Sequence, residues 1–231
     1  TIANDIAWYA HVKEGGQTKK SRIRQSVKFD IDSCPESLFI DLEDEIIGFS
    51  SVNIYPIAFG ATGRIFRLEG FKDELGTGVI EKREIAKNVV LANNNSIVQT
   101  VDGIYFAATS GFYFTDGTRV IKISDAFNDT FTQILETSTQ RSRIYGKYDP
   151  LNNRIFWCVT EDSASTDNDL IYVLDLKWGL RPSGQGIVDT ADATFTTIVP
   201  STNSWSPCCV GIDVSGNLLI GDRRGYLFKL D

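Results

Sequence analysis

The sequence predicts an all-β fold of repeated antiparallel blades, a β-propeller, and three observations lead to it. The first is a recurring phrase: an apolar strand, a short turn holding Gly or Asn, and a returning strand of apolar and aromatic residues. Its clearest copies span 103–116 and 217–230, in which Gly111 and Gly225 open the returning strand after the runs that begin at Ile104 and Leu218. Weaker copies occupy 53–68 and 153–159 with 170–175, so that returning strands open at Gly63, Gly111, Leu170 and Gly225. These starts stand roughly 50 residues apart, and self-similarity at about that period with several strands per unit is how propeller blades read in sequence. The second observation is that apolar residues alternate or run for short stretches, as in strands, while helical spacing is almost absent. The third is punctuation by Gly, Asn and Asp, the residues that tolerate the backbone of tight turns.

Taken in order, 5–12 and 26–31 read as a pair of strands joined by a polar, basic loop over 13–24. Residues 46–59 and 64–68 form the next unit. The third comprises 89–91, 96–100, 104–107 and 112–115, with hairpins marked by Asn93, Asn94 and Asn95 and by Asp102 and Gly103. The fourth comprises 144–148, 154–159 and 170–176, with a strong turn at 149–153, where Pro150 presets φ and the asparagines accept left-handed geometry. The last comprises 195–199, 210–214, 218–221 and 226–230. One helix is expected over 125–135, because Phe127, Phe131, Ile134 and Leu135 share a helical face and Ser124 or Asp125 can cap it. Phe112, Phe114, Ile171, Val173, Tyr226 and Phe228 are the expected core of the returning strands. This gives about five blades in a single domain over residues 1–231. The chain has no methionine and opens on Thr1, so the expectation is a fragment of a longer polypeptide.

Composition narrows the function. Hydrophobic residues make up 42% of the 231 residues and aromatics 11%, ample for a core. A formal charge of −7 opposes a general nucleic-acid binder, which needs a basic face, yet it suits a channel wall that repels phosphate. No apolar run reaches the ~18 residues of a membrane span, and no signal-peptide core is present. Cys34, Cys158, Cys208 and Cys209 have no metal-type spacing, and the adjacent pair is expected to point to opposite faces of a strand. All four are expected to be buried free thiols.

The catalytic inventory is thin. His11 is the only histidine, so a nucleophile–histidine scheme has to use it. It lies in an alternating stretch where an ordinary strand residue is the commoner outcome. Asp41, Glu43, Asp44 and Glu45 are the densest acids, and glycoside hydrolysis needs two carboxyl groups facing each other. Their position before the strand at Ile46 reads as a solvated loop. The acidic stretch 161–169 reads as an exposed, mobile hairpin tip, with Asp162, Asp167 and Asp169 as a calcium alternative lacking the EF-hand glycine and terminal glutamate. Arg223 and Arg224 sit in a hairpin tip, where charge is ordinary and anion binding the alternative. Trp178 and Trp205 read as packing between blades, with sugar stacking the sharper reading. Gly184 and Gly186 have no following Lys-Ser/Thr and make no phosphate loop. No catalytic, cofactor-binding or metal residue is therefore assigned, and no cofactor is required.

The stretch 96–124, with Gly103-Ile-Tyr-Phe, Gly111-Phe-Tyr-Phe-Thr-Asp-Gly117 and Ile121-Lys-Ile-Ser124, resembles a line common in tail proteins of short-tailed bacteriophages. Residues 148–157 and 170–178 resemble the next blade of those proteins, as do 29–47 and 63–68. These segments cover about two thirds of the chain and resemble the tail nozzle, or tail tubular (DNA-stabilisation), family. The resemblance implies a structural virion protein that is not an enzyme, assembled in the host cytoplasm into a homo-oligomeric tail ring, a hexamer. Its implied partners are the tail adaptor and other tail proteins, with double-stranded DNA passing through without specific binding and no membrane contact. Two other readings stand beside it. One is a carbohydrate-binding or carbohydrate-active propeller, although sialidase-type Ser-x-Asp-x-Gly-x-x-Trp turns do not occur. The other is a quinoprotein-like scaffold, suggested by 63–68 and 225–231 but lacking its usual tryptophan.

Overall fold

The computed structural model describes residues 1–125, 134–161, 164–178, 181–182, 191–199 and 206–230. Blade 1 is β1 (Ile2–Ala3), β2 (Ile6–Glu14), β3 (Gln17–Gln25) and β4 (Phe39–Asp41), and blade 2 is β5 (Ile46–Val52), β6 (Tyr55–Gly60), β7 (Ile65–Glu69) and β8 (Glu81–Ala86). Blade 3 is β9 (Val98–Gln99), β10 (Ile104–Ala108), β11 (Gly111–Thr115) and β12 (Val120–Lys122). Blade 4 runs β13 (Tyr145–Asp149), β14 (Arg154–Val159), β15 (Leu170–Asp175) and then β18 (Phe195–Ile198), with the short ribbon of β16 (Arg181–Pro182) and β17 (Ala191–Asp192) inserted before its last strand. Blade 5 has three described strands, β19 (Pro207–Ile212), β20 (Leu218–Asp222) and β21 (Leu227–Leu230). Neighbouring strands in each blade are antiparallel, as expected for the all-β propeller.

Strand alternation explains how the blades stack. Successive side chains on a strand point to opposite faces, and here each face meets a different neighbour. On β14, Ile155, Trp157 and Val159 enter the apolar cluster shared with blade 3, whereas Phe156 and Cys158 enter the one shared with blade 5. On β10, Ile104, Phe106 and Ala108 pack toward blade 2 while Tyr105 and Ala107 pack toward blade 4. A fourth cluster joins blades 1 and 2 through Ile6, Trp8, Ile23, Ala58, Phe66 and Leu68. Central strands buried on both faces therefore read as continuous apolar runs rather than alternating ones. Each large side chain fully buried in this way contributes about 1.5–3 kcal/mol.

Polar bonds fix the blades in register. Trp157 Nε1–H donates to the Ser96 carbonyl at 3.0 Å, Asn94 Oδ1 accepts from Phe49 N–H at 3.1 Å, and Arg67 donates to the Gly117 carbonyl at 3.1 Å. The turns share one device, an aspartate accepting N–H groups two to four residues on: Asp116 from Thr118, Asp149 from Leu151, Asp213 from Ser215 and Asn217, and Asp222 from Arg224. Such Asx turns close the hairpins locally and need no distant partner.

Several expectations are corrected. The expected basic loop 13–24 is mostly strand: Gly15 (φ 56) and Gly16 (φ 80) make a two-residue hairpin turn, after which β3 pairs back along β2. Residues 26–31 are not a strand, although Val27 and Asp30 form a single bridge. The run 46–59 is broken by Asn53 (φ 52), and 89–91 contributes only the Leu91–Ala108 bridge. Asn93 is the N-cap of a 3-10 turn over Asn94–Ser96 instead of a hairpin residue. Phe195 and its neighbours complete blade 4, not blade 5, because β18 pairs with β15. Phe112, Phe114, Ile171 and Val173 are buried, but Tyr226 and Phe228 are 62% and 40% exposed. Residues 126–133 of the expected helix lie outside the described residues, while Ile134 and Leu135 are buried between blades 3 and 4. The short helix α1 (Ser138–Arg143) was not anticipated, and a capping box of Thr137 with Gln140 starts it.

Candidate functional site

The acids singled out in the sequence do not converge. Asp41 receives two hydrogen bonds from the Arg22 guanidinium, each 2.7 Å. Glu43 is bound by Lys82 at 2.6 Å and Arg64 at 3.3 Å, and Glu45 pairs with Lys20 at 2.9 Å. Asp44, expected in a solvated loop, is buried and accepts from the Thr62 hydroxyl and N–H. The hydrogen bond from Arg22 holds the Asp41 carboxyl below its usual range, and those from Lys82 and Arg64 do the same for Glu43. A glycosidase acid needs the opposite shift, a carboxyl still protonated near neutral pH. Asp41, Glu43 and Glu45 act as counterions, and Asp44 fastens the turn at Thr62.

His11 sits where β2 shifts register against β3, with φ 57, and its Nδ1 lies 3.3 Å from the Ile46 carbonyl oxygen. That geometry ties blade 1 to β5 and, among the described residues, brings no nucleophile to the imidazole. In the acidic loop, Asp162 lies outside the described residues. Ser163 lies outside them too; Glu161, Ala164 and Thr166 are exposed, as expected of a tip, but the loop is tied down beyond them: Asn168 is buried, accepts from the Thr160 hydroxyl at 2.9 Å and donates to the Arg143 carbonyl at 3.1 Å. Asp169 accepts the Glu161 N–H at 2.8 Å, and Asp167 is ion-paired with Arg223. The calcium alternative thus loses Asp167 to a guanidinium. The anion alternative loses both arginines, since Arg224 pairs with Asp222 at 2.9 Å. Trp205 and the loop of Gly184 and Gly186 lie outside the described residues, and so does the side chain of Trp178.

All four cysteines are free thiols, as expected, but only Cys158 is buried. Cys158 is buried between blades 4 and 5, where burial pushes its thiol up, and Cys34 is half-buried. Cys208 and Cys209 are exposed, and a register shift in β19 brings their sulfurs within 4.0 Å instead of sending them to opposite faces. Burial raises the Cys208 thiol pKa, and Cys209 beside it adds to the rise.

Concave surface gathers around blades 4 and 5. A 640 Å³ cleft opens between them, lined among others by Asp149, Arg154, Phe156, Asp175, Asn217 and Lys229. Its two carboxylates are engaged: Asp149 by turn amides, Asp175 by Arg154 at 3.1 Å and Lys177 N–H at 3.0 Å. Arrayed this way, the cleft offers hydrogen bonding and charge, and neither carboxylate is left free to act as a general base. Sequence reasoning did not single out Arg154, Asp175 or Lys229, because they come from separate strands that only the stacking of blades brings together.

The outward faces of the blade stack differ. On blade 1, Ile23 points inward, so Arg22 and Arg24 point outward. There they bind Glu14 at 2.7 and 3.2 Å, with the Arg22 guanidinium 3.8 Å over the Phe39 ring. On blade 5 the outward face presents Leu227, 65% exposed, and the exposed Cys209.

No protein-family model and no curated protein matches the chain. Among solved structures it is similar to virginiamycin B lyase from Staphylococcus aureus, at 13% identity and a TM-score of 0.51, covering 100% of this chain and 68% of that one. It is also similar to the WD40 domain of SCAP from fission yeast, at 9% identity and a TM-score of 0.43, covering 98% of this chain and 66% of that one. The chain therefore spans about two thirds of the length of these propellers. At such identities the likeness is one of fold, and the fold is the β-propeller.

Proposed function

We propose that this chain is a structural propeller of a bacteriophage tail nozzle, part of a homo-oligomeric ring, a hexamer, that guides DNA out of the capsid and catalyses nothing. The observation that carries the reading is the order of its motifs: the segments resembling nozzle proteins fall on blades 1 to 4 in chain order. Physical features support it. Apolar clusters seal each blade to the next, which gives a stiff unit suited to a channel under pressure. The net charge of −7 favours a wall past which phosphate slides without binding. Asp41 and Glu43 are counterions whose carboxyls are held below their usual range, which suits a surface more than hydrolysis. Ring contacts fall to polar blade edges and inserted loops, 161–169 among them, with the tail adaptor as neighbour and the virion tail as location.

The test is the mass and the electron micrographs of the particle formed by the purified protein with its neighbouring tail proteins, alongside a glycan-hydrolysis screen. A symmetric ring without turnover is expected. A protein that stays monomeric at high concentration and cleaves a glycan through aspartate or glutamate overturns the reading in favour of a carbohydrate-active propeller.

A further inference from the structure

Ordinary strand alternation sends adjacent residues to opposite faces, yet Cys208 and Cys209 share one. In the β19–β20 ladder Pro207 opposes Asp222 and Cys209 opposes Gly221, so Cys208 is the extra residue of a β-bulge. The bulge turns the two sulfurs toward each other, 4.0 Å apart, with both residues exposed. Gly221 makes the room: a Cβ there would stand 2.5 Å from Cys209 Sγ, while the Gly221 carbonyl accepts from the Cys208 thiol at 3.3 Å.

We propose that Cys208 and Cys209 form a surface vicinal dithiol that chelates a soft, thiophilic metal or metalloid ion. Two thiolates on one tetrahedral cation with metal–sulfur bonds of about 2.3 Å lie roughly 3.8 Å apart, close to the spacing already present. A disulfide between them is disfavoured by comparison. It needs sulfurs at about 2.05 Å and Cα atoms roughly 4.4–6.8 Å apart, whereas neighbours in a chain are held at about 3.8 Å. Chelation needs no oxidant: each thiol releases its proton to water as its sulfur–metal bond forms. Cys158 is enclosed between blades, and among the described residues no three His, Cys, Asp or Glu side chains gather as a ligand set. The protein thus supplies two sulfurs, and the ion keeps its other ligands.

Phenylarsine oxide is the probe, because it condenses with two thiols to a cyclic dithioarsenite and one water. Intact-mass spectra of the wild-type chain in excess 2-mercaptoethanol should show one phenylarsenic adduct that dithiothreitol removes. Cys208→Ser and Cys209→Ser should each abolish it, and Cys34→Ser should keep it. Maleimide mapping gives the same answer without any substitution: the adduct should protect Cys208 and Cys209 and leave Cys34 reactive. No adduct on the wild type, an adduct surviving in either the Cys208→Ser or the Cys209→Ser variant, or protection mapped elsewhere overturns the proposal.

Discussion

Replacing Trp157 tests the joint between blades 3 and 4. Its indole is fully buried, with ring centroids 4.7 Å from Phe112 and 6.3 Å from Phe195, and its N–H donates to the Ser96 carbonyl at 3.0 Å. Trp157→Ala removes both the packing and the hydrogen bond, at a cost of about 3–5 kcal/mol. Trp157→Phe keeps most of the apolar contact and removes the donor to a buried carbonyl, costing about 1–3 kcal/mol. In a domain this size each kcal/mol shifts Tm by about 2–4 °C, so the alanine variant should melt roughly 6–20 °C lower. Urea unfolding followed by far-ultraviolet circular dichroism measures both variants, with the midpoint moving and the slope unchanged. An alanine variant within about 1 kcal/mol of the wild type, or a phenylalanine variant less stable than it, would refute the blade register and the role given to this indole.

Other expectations follow from the same packing and charge arguments. Gly146→Ala should cost about 1–3 kcal/mol in urea, because its Cβ would collide with Val98 Cγ2 and stand 2.7 Å from Trp157 Nε1. Paired with Trp157→Phe, its cost should fall, and strictly additive losses would argue against the collision. Phe114→Ala should cost about 3–5 kcal/mol and Phe228→Ala, 40% exposed, under about 1 kcal/mol; equal losses would show that blade 5 is covered as blade 3 is. The Asp222 carboxyl is held at about 2 by hydrogen bonds from Arg224 and the Ser206 amide, against an ordinary 3.8. A depressed pKa of this kind stabilises the fold above the ordinary value and loses that contribution as pH falls through the folded one. The stability gap between wild type and Asp222→Asn should therefore be full near neutral pH and narrow as pH drops from 3.8 toward 2. A gap independent of pH would place the carboxylate outside the turn.

What could be read from the chain alone is what local backbone chemistry specifies. Gly103, Gly111 and Asn153 mark turns, and the apolar runs at 104–108, 154–159 and 170–175 mark strands buried on both faces, so the blade repeat was legible. Asp213, expected within a strand over 210–214, instead follows the end of β19 and accepts the turn amides. Strands β8 and β12 were missed because they lie at blade edges: Glu81-Lys-Arg-Glu carries no apolar signal, and Val120-Ile-Lys is only three residues long, too short to show a period. β3 was hidden by its charges, which point outward from blade 1 while Ile23 alone reports the core. Tertiary structure decided everything that depends on which face meets which neighbour. Phe156 and Trp157 are adjacent in sequence and belong to different cores, Asp167 finds Arg223 across two blades, and Arg154, Asp175 and Lys229 line one cleft. The shared face of Cys208 and Cys209 depends on a one-residue shift in a ladder whose partner strand follows later in the chain. Periodicity fixes the spacing along a strand, but the register and stacking that build a site are set by non-local contacts, which no local pattern encodes.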